Sequence, residues 1–323
     1  MSAQGAAPGA GHSGAAGSST HGNGQDLSAS AVTRASMSRG KGARTLRLIA
    51  SAREILAEIQ PASVRAVCYQ LFVAGLILSM SKSCTNAVSR LLTRAREEGE
   101  ILWEWIVDES REAEVARRWD STDDLIRAAV AQYRRDYWQD QDYRVEVWSE
   151  KGTIRGTLGP VLDKYGVTFR VMHGYASATV VNDIAEYSND ANSKPLIALY
   201  VGDWDPSGLH MSNVDLPRRL KEYGATLKLQ RIALVPGDLK RLPSFDPDSK
   251  RQDPRYRWFQ STIRTRCYEL DAMPPPKLRA RVEQAILRYI DIPRWDHAIA
   301  IEQVEVASMQ AFHRSWLAAQ GAT

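Results

Sequence analysis

Two aspartates after an apolar run are the residues whose type and spacing best suit metal chemistry. Leu196–Val201 is largely apolar and predicts a buried strand, which Gly202 and then Asp203 and Asp205 follow. If the chain stays extended, residues two apart face the same side, so both carboxylates point one way. Adjacent carboxylates repel unless a proton or a cation lies between them, and Mg²⁺ prefers such oxygen ligands. The pair fits equally well an aspartate that caps a helix beginning at Pro206, beside a solvated neighbour.

A third carboxylate is expected beside these two aspartates. Residues 143–149 alternate as a strand, and Glu150 and Lys151 follow it directly. Between that strand and the aspartates, the pattern predicts a helix, a strand and a helix over residues 156–164, 167–172 and 176–187. Such a β-α-β-α-β series predicts an α/β fold with parallel strands, right-handed crossovers and all carboxyl ends at one edge. Glu150, Asp203 and Asp205 are therefore expected at one rim, as a candidate metal site.

These motifs resemble a known family. A Glu-Lys pair after the first strand and a DxDPxG motif after the third resemble the Toprim domain of topoisomerases, primases and some nucleases. The forms WSEKGT and GDWDPSG are most similar to the A subunit of type IIB topoisomerase (topoisomerase VI) and its meiotic double-strand-break relatives. Among these, the chain is most similar to small stand-alone versions on bacterial mobile elements, from about Thr45 onward. The resemblance implies that Glu150, Asp203 and Asp205 bind Mg²⁺, and it makes Lys151 a candidate phosphate contact.

The segment PASVRAVCYQLF contains a candidate nucleophile. It resembles the topoisomerase VI segment in which an arginine precedes the DNA-attacking tyrosine by four residues, which implies those roles for Arg65 and Tyr69. A spacing of four places both side chains on one helical face, where the guanidinium can stabilise phenolate and phosphate. A tyrosine with its ordinary pKa of about 10 is a poor nucleophile without such a neighbour. Many family members have a tyrosine pair where this chain has Cys68-Tyr69, and the helix pattern alone favours Tyr69 as a core residue.

The N-terminal third predicts a DNA-binding unit. Its pattern indicates helices over residues 44–59, 63–74 and 85–98 and a strand over residues 101–107. Three short helices and a strand suit a winged-helix (CAP-like) domain, whose last helix enters the major groove. Arg90 and Arg94 lie on the outer face of that helix and are the candidate DNA contacts. A plain helical bundle with a solvated arginine face explains the same pattern.

The pattern divides the chain into consecutive parts. The C-terminal part is expected to have a strand, a helix, a proline-led helix and a final amphipathic helix, over residues 227–234, 255–265, 274–289 and 299–319. The linker contains a predicted helix over residues 123–138. The parts are a disordered basic tail rich in Gly, Ala and Ser (1–44), a winged-helix domain (45–112), a linker helix (113–142), a Toprim core (143–240) and a C-terminal extension packed on it (241–323).

Composition restricts the function classes further. The net charge of +4 and the pI of about 8.9 are compatible with a polyanionic partner but too mild to demonstrate one. The three cysteines have no CxxC spacing, so neither a disulfide framework nor a zinc site follows. No apolar run reaches the length of a membrane span and the N-terminus lacks a hydrophobic signal core, so we expect no membrane partner and a cytoplasmic, nucleoid-associated protein.

The leading hypothesis is Mg²⁺-dependent cleavage of double-stranded DNA by Tyr69, with resealing by the reverse reaction. The resemblance implies a homodimer in which each tyrosine meets the partner's metal. The chain has no GxxxxGK[ST] loop, so strand passage would need a separate ATPase B-type subunit. The alternatives are a hydrolytic Toprim nuclease, in which Tyr69 is only a core residue, and a non-catalytic winged-helix DNA-binding protein. Glu269 and Asp271, in the run YELDAMPP, fit a second acidic site or structural pairing with nearby arginines.

Overall fold

Three helices make up the N-terminal region of the fold, as the sequence predicted. The computed structural model describes residues 42–107, 118–172 and 178–320. The helices are α1 (Ala43–Ile59), α2 (Val64–Val73) and α3 (Lys82–Glu97). Their apolar faces enclose one cluster, in which Leu56, Leu71 and Leu92 are buried. Helix α2 begins where the Ser63 hydroxyl accepts a hydrogen bond from the Ala66 N–H, and it is followed by Gly75, whose φ is 70°.

The predicted strand over residues 101–107 is wrong for most of its length. Trp103–Trp105 form a 3₁₀ turn, and only Ile106–Val107 (β2) are extended. Strand β2 pairs in parallel with Ala62–Ser63 (β1), whereas a wing would be an antiparallel hairpin. The Arg96 guanidinium lies 4.3 Å from the centre of the Trp103 ring and donates to the Trp103 carbonyl at 3.1 Å. That carbonyl is thus bound by a side chain instead of a neighbouring strand.

The predicted linker helix is shorter than expected. Helix α4 spans Thr122–Gln132 and ends before Tyr133, whose ψ is 130°. Tyr137–Asp140 form a separate 3₁₀ turn, which the Asp136 side chain caps by accepting from the Trp138 N–H. No side chain of α4 is buried, so local turn geometry decides its end. Residues 113–117 of the predicted linker and residues 1–41 of the predicted tail lie outside the described residues.

A four-stranded sheet confirms the α/β class and the parallel strand series. The strands are β3 (Arg144–Ser149), β4 (Thr168–Val171), β5 (Leu196–Val201) and β6 (Leu227–Ala233). Their order is β4-β3-β5-β6, and every neighbouring pair is parallel. Strand β5 is buried along its whole length, which explains why its sequence is apolar without alternation. The chain leaves β3 towards β4 and returns to β5 on the other side, so the topological switch lies between β3 and β5.

Helices cover both faces of this sheet. They are α5 (Ile154–Lys164), α6 (Ala178–Asn189), α7 (Pro206–His210), α8 (Leu216–Glu222), α9 (Tyr256–Thr262), α10 (Pro275–Leu287) and α11 (Ile292–Gln320). A π-helical turn, Met211–Asp215, joins α7 to α8. One apolar cluster contains Leu158 of α5 and Val282 of α10, and a second contains Ile184 of α6 and Leu216 of α8. Helix α10, within the predicted C-terminal extension, thus shares an apolar core with α5.

The last helix begins earlier than predicted and is mostly exposed. Helix α11 starts at Ile292 instead of residue 299, and its buried side chains are Trp295 and Ala298. Within the described residues, no helix is both long and apolar enough to cross a membrane.

The N-terminal region is fastened to the sheet region by close backbone contacts. The Arg279 guanidinium of α10 donates to the carbonyls of Ile59, Gln60 and Pro61 at 3.0–3.2 Å, at the end of α1. On α5, a Cβ atom at Gly156 would lie 2.6 Å from the Val107 side chain, so only glycine fits this contact. These contacts hold α2 close to the edge of the sheet where the predicted acidic residues lie.

Candidate active site

The two aspartates follow β5 at the switch point, as predicted. Asp203 is 8% exposed and Asp205 is 4% exposed. The Trp204 N–H and carbonyl each form a 2.9 Å hydrogen bond with the Tyr268 backbone, which keeps the segment between the aspartates extended. Asp205 Oδ1 also accepts from the Gly208 N–H at 2.8 Å, so Asp205 caps α7. The capping role and the rim position therefore occur together.

An arginine that the sequence analysis missed supports this loop from below. The Arg231 guanidinium, on β6, donates to the carbonyls of Gly202, Asp203 and Gly208 at 2.8, 3.1 and 2.9 Å. It also lies 5.1 Å from the centre of the Tyr200 ring. Burial lowers the pKa of Arg231 below its ordinary value. Apart from one hydrogen bond to Ser212 Oγ at 3.1 Å, its hydrogen bonds go to backbone carbonyls, so Arg231 fixes the shape of the loop without pairing with the carboxylates of the rim.

Glu150 follows β3 and belongs to the same rim. The Ser207 hydroxyl, on α7, lies 3.5 Å from Glu150 Oε1. Burial raises the pKa of Glu150, and the charges of Asp203 and Asp205 raise it further. Burial and the Asp203 charge likewise raise the pKa of Asp205, despite its cap hydrogen bond. Neighbouring negative charge thus opposes the ionisation of Glu150 and of Asp205, which is the condition that a cation relieves.

Two lysines neutralise part of this acidic rim. Lys151 Nζ lies 2.9 Å from Asp203 Oδ2 and 3.3 Å from Asp271 Oδ2. Burial opposes the charge of Lys151, but these carboxylates outweigh burial and raise its pKa above the ordinary value. Lys250 Nζ lies 3.3 Å from Asp205 Oδ2. Lys250 comes from a 3₁₀ turn, Pro247–Lys250, inside a segment whose prolines and aspartates gave no sign of a functional residue.

The carboxylates of this rim fit Mg²⁺ in kind. Glu150, Asp203 and Asp205 offer hard oxygen donors, and the pKa values of Glu150 and Asp205 are raised in part by neighbouring negative charge, which a cation would offset. Within the described residues, no group of three or more His, Cys, Asp or Glu side chains is close enough together to hold a metal ion. Binding of Mg²⁺ by all three would therefore require their side chains to move together, at the expense of the two lysine ion pairs.

Tyr69 lies on α2 with Arg65 on the same face, as the spacing of four predicted. The Arg65 guanidinium carbon is 5.9 Å from the centre of the Tyr69 ring. Tyr69 is only 3% exposed, and burial raises the pKa of its phenol above the ordinary value, with a further increase from Glu269 and a decrease from Arg65. The Arg65 guanidinium donates two hydrogen bonds to the Glu269 carboxylate. In this conformation the phenol is neutral, and Arg65 is directed towards Glu269.

A segment around Leu270 connects α2 to the acidic rim. Besides the Arg65–Glu269 pair, the Ser63 hydroxyl donates to Asp271 Oδ1 at 2.5 Å. The Leu270 N–H donates to Asp203 Oδ1 at 2.8 Å. Glu269 and Asp271, for which a second acidic site was one alternative, are instead paired with basic side chains, Glu269 with Arg65 and Asp271 with Lys151. The same short segment thus contacts both the tyrosine helix and the first aspartate of the rim.

A cavity of about 460 Å³ joins these parts within one chain. Its walls include Arg65 and Tyr69 of α2, Glu269, and Lys250, the lysine that is paired with Asp205. Ser81, which precedes α3, also lines it. Residues that are far apart in the sequence are therefore brought to one opening.

The predicted DNA contacts lie on the outside of α3. Arg90 and Arg94 are both exposed. Arg94 Nε donates to Glu98 Oε1 at 2.9 Å, one turn further along the helix. An exposed ion pair of this kind contributes little to stability, so Arg94 can exchange its partner at small cost.

The fold and the rim define an α/β protein with an acidic cluster at the switch point of a parallel sheet. Comparison of the chain with protein-family models, curated proteins and solved structures finds no match.

Proposed function

We propose that this protein is a Mg²⁺-dependent DNA-cleaving enzyme that uses Tyr69 as its nucleophile, in the manner of a type IIB topoisomerase A subunit. The observation that carries the proposal is the cavity shared by Tyr69 and Lys250, because Lys250 is itself paired with Asp205 of the acidic rim. Lys250 thus connects the cavity that Tyr69 lines with the acidic rim, which supports a phosphodiester bound between them.

In the proposed reaction, the Tyr69 oxygen attacks phosphorus and loses its proton to solvent. A 5′-phosphotyrosyl bond forms, the bond from phosphorus to the 3′ oxygen breaks, and that oxygen leaves as a hydroxyl after gaining a proton. The reverse reaction reseals the strand. When bound by Glu150, Asp203 and Asp205, Mg²⁺ would neutralise phosphate charge and assist the leaving oxygen.

The chain's own basic residues have distinct roles in this proposal. Arg65 stabilises the developing phenolate charge and the phosphate. To do so, its guanidinium, which donates to Glu269, also donates to the substrate. Lys151 contributes charge near the phosphate from the Asp203 side of the rim. Since burial raises the pKa of Tyr69, Arg65 must offset that burial for the phenol to act as a nucleophile.

Binding of the duplex is proposed for the N-terminal region, acting as a winged-helix domain with Arg90 and Arg94 against the phosphate backbone. The sheet region over residues 143–240 acts as the Toprim domain. A homodimer supplies one nucleophile for each strand of the duplex. Strand passage would depend on a separate ATPase B-type subunit.

A hydrolytic nuclease is the second candidate, and one observation favours it. Tyr69 is 3% exposed and its pKa is raised by burial, as expected for a tyrosine of the core. In that case water attacks the phosphodiester, and the protein never becomes attached to DNA.

Cleavage of supercoiled plasmid in the presence of Mg²⁺, stopped with detergent, separates the two candidates. Wild type is expected to cut the plasmid and to remain attached to 5′ ends. Tyr69→Phe is expected to lose both cutting and attachment, whereas Tyr187→Phe, at an exposed tyrosine of α6, keeps both. Asp203→Asn is expected to abolish cutting. Cutting by Tyr69→Phe without attached protein would replace the proposal by the hydrolytic nuclease, and an inert wild type would reject both.

A further inference from the structure

Lys250 differs from the other basic residues around the acidic rim in how it is held. Its Nζ lies 3.3 Å from Asp205 Oδ2 and 6.0 Å from the centre of the Phe245 ring. Its side chain is 41% exposed, and the residue ends a short 3₁₀ turn, Pro247–Lys250. Lys250 thus presents its ammonium group to Asp205 on a partly exposed and extensible side chain.

Lys151, by comparison, is fixed in place. It contacts Asp203 and Asp271 at once, and its own backbone N–H donates to Ser149 Oγ at 3.3 Å. Asp205 Oδ1 is occupied by the Gly208 N–H, so the oxygen that Lys250 contacts is the remaining one, Oδ2. Because Oδ1 already accepts the cap hydrogen bond, Oδ2 is the less occupied oxygen for a metal ion, and it is the oxygen that Lys250 contacts.

We propose that Lys250 competes with Mg²⁺ for Asp205 Oδ2 and thereby sets the metal affinity of the rim. The proposal rests on the metal site of the proposed function. Displacement by the metal leaves the Lys250 ammonium in the cavity that Tyr69 also lines, where a phosphate is the complementary anion. Metal binding thereby releases a cation towards the position proposed for the scissile phosphate.

Calorimetric titration of Mg²⁺ into the whole protein, without DNA and at pH 8, tests this competition. Lys250→Met removes the competing charge and is expected to bind Mg²⁺ about fivefold more tightly than wild type, as fits the loss of one partly exposed ion pair. Lys250→Arg keeps a cation and is expected to bind as wild type does. Lys240→Met, at an exposed lysine on the preceding turn, controls for the loss of one positive charge.

A thermal melt provides a second readout that also reports folding. Mg²⁺ is expected to raise the melting temperature of Lys250→Met more than that of wild type, because the variant has one cation fewer at the rim. Lys250→Gln, which is uncharged but polar, is expected to behave like Lys250→Met and replaces it if methionine prevents folding.

The outcomes separate the two levels of the proposal. If wild type binds Mg²⁺ through Asp203, as loss of binding in Asp203→Asn would show, and Lys250→Met binds equally or more weakly, the competition is refuted and the metal site stands. If Lys240→Met tightens binding as much as Lys250→Met, general charge explains the effect and the competition is again refuted. If wild type binds no Mg²⁺, or Asp203→Asn binds as wild type does, the metal site of the proposed function fails as well.

Discussion

At the scale of single residues, Asp205 shows how one carboxylate contacts two different partners. Its Oδ1 accepts from the Gly208 N–H and caps α7, while Oδ2 faces Lys250. From the sequence alone, a helix cap and a metal ligand were alternative explanations of Asp205, because either accounts for an aspartate before Pro206. They are compatible in the folded protein because the two oxygens point to different partners.

A pair of substitutions at Asp205 separates these purposes. Asp205→Asn keeps an oxygen for the cap and is expected to unfold in urea at nearly the wild-type midpoint, but to lose Mg²⁺ binding. Asp205→Ala loses the cap as well. Its free energy of unfolding is expected to be about 1 kcal/mol lower than that of Asp205→Asn. Urea unfolding and calorimetry measure the two effects. Equal stability of the two variants would show that the cap contributes nothing, and undiminished Mg²⁺ binding by Asp205→Asn would remove Asp205 from the metal site.

At the scale of elements, the contact between α5 and β2 decides how the N-terminal region meets the sheet. Gly156 of α5 faces Val107 so closely that a Cβ atom would lie 2.6 Å from both Cβ and Cγ1 of that side chain and 2.9 Å from its Cγ2. Gly159, one turn further along α5, faces the flexible ends of two side chains, Arg155 at 3.1 Å and Asp163 at 3.8 Å. The two glycines share a helix and differ in their surroundings.

Alanine substitutions at these glycines are expected to have opposite effects on stability. Gly156→Ala forces α5 and β2 apart and is expected to lower the free energy of unfolding by about 1–3 kcal/mol. Gly159→Ala gains helix propensity, worth up to about 1 kcal/mol, and is expected to be neutral or stabilising. Urea unfolding followed by circular dichroism measures both. A Gly156→Ala variant as stable as Gly159→Ala would mean that the α5–β2 contact is looser than described.

At the scale of the whole molecule, the question is whether one active site needs one chain or two. The resemblance implies that each tyrosine meets the partner's metal, and this prediction stays untested. In the alternative arrangement, each chain holds a complete site, for which the cavity lined by Tyr69, Glu269 and Lys250 would be the position of the scissile phosphate.

Mixing two inactive variants distinguishes these arrangements. Tyr69→Phe and Asp203→Ala are each expected to be inactive, and a site contained in one chain predicts that their mixture stays inactive too. A site shared between chains predicts that mixed dimers recover one complete site and make single-strand nicks with attached protein. Subunit exchange must be verified with differently tagged chains. Nicking by the mixture would restore the shared site and reject the single-chain one.

The sequence by itself determined the features that depend on local patterns. The continuous apolar run of β5 indicates a strand covered on both faces, and alternation with helices indicates parallel neighbours. Because parallel strands end at a common edge, Glu150 and Asp203 could be assigned to one rim without any knowledge of tertiary contacts. The spacing of four between Arg65 and Tyr69 likewise determined their common helical face.

Only the tertiary structure decided which distant residues complete the site. Lys250, Glu269 and Arg231 lie in segments whose local patterns indicate a loop, an extended stretch and a strand, and nothing in those patterns relates them to Asp205, Arg65 or Asp203. Similarly, residues 101–107 have a strand-like sequence, but the Trp103 carbonyl binds the Arg96 side chain instead of a neighbouring strand. Local periodicity reflects which face of an element is buried, so it can be read from a short stretch of sequence. Ion pairs between remote segments depend on how whole elements pack, and no single stretch of the sequence indicates that packing.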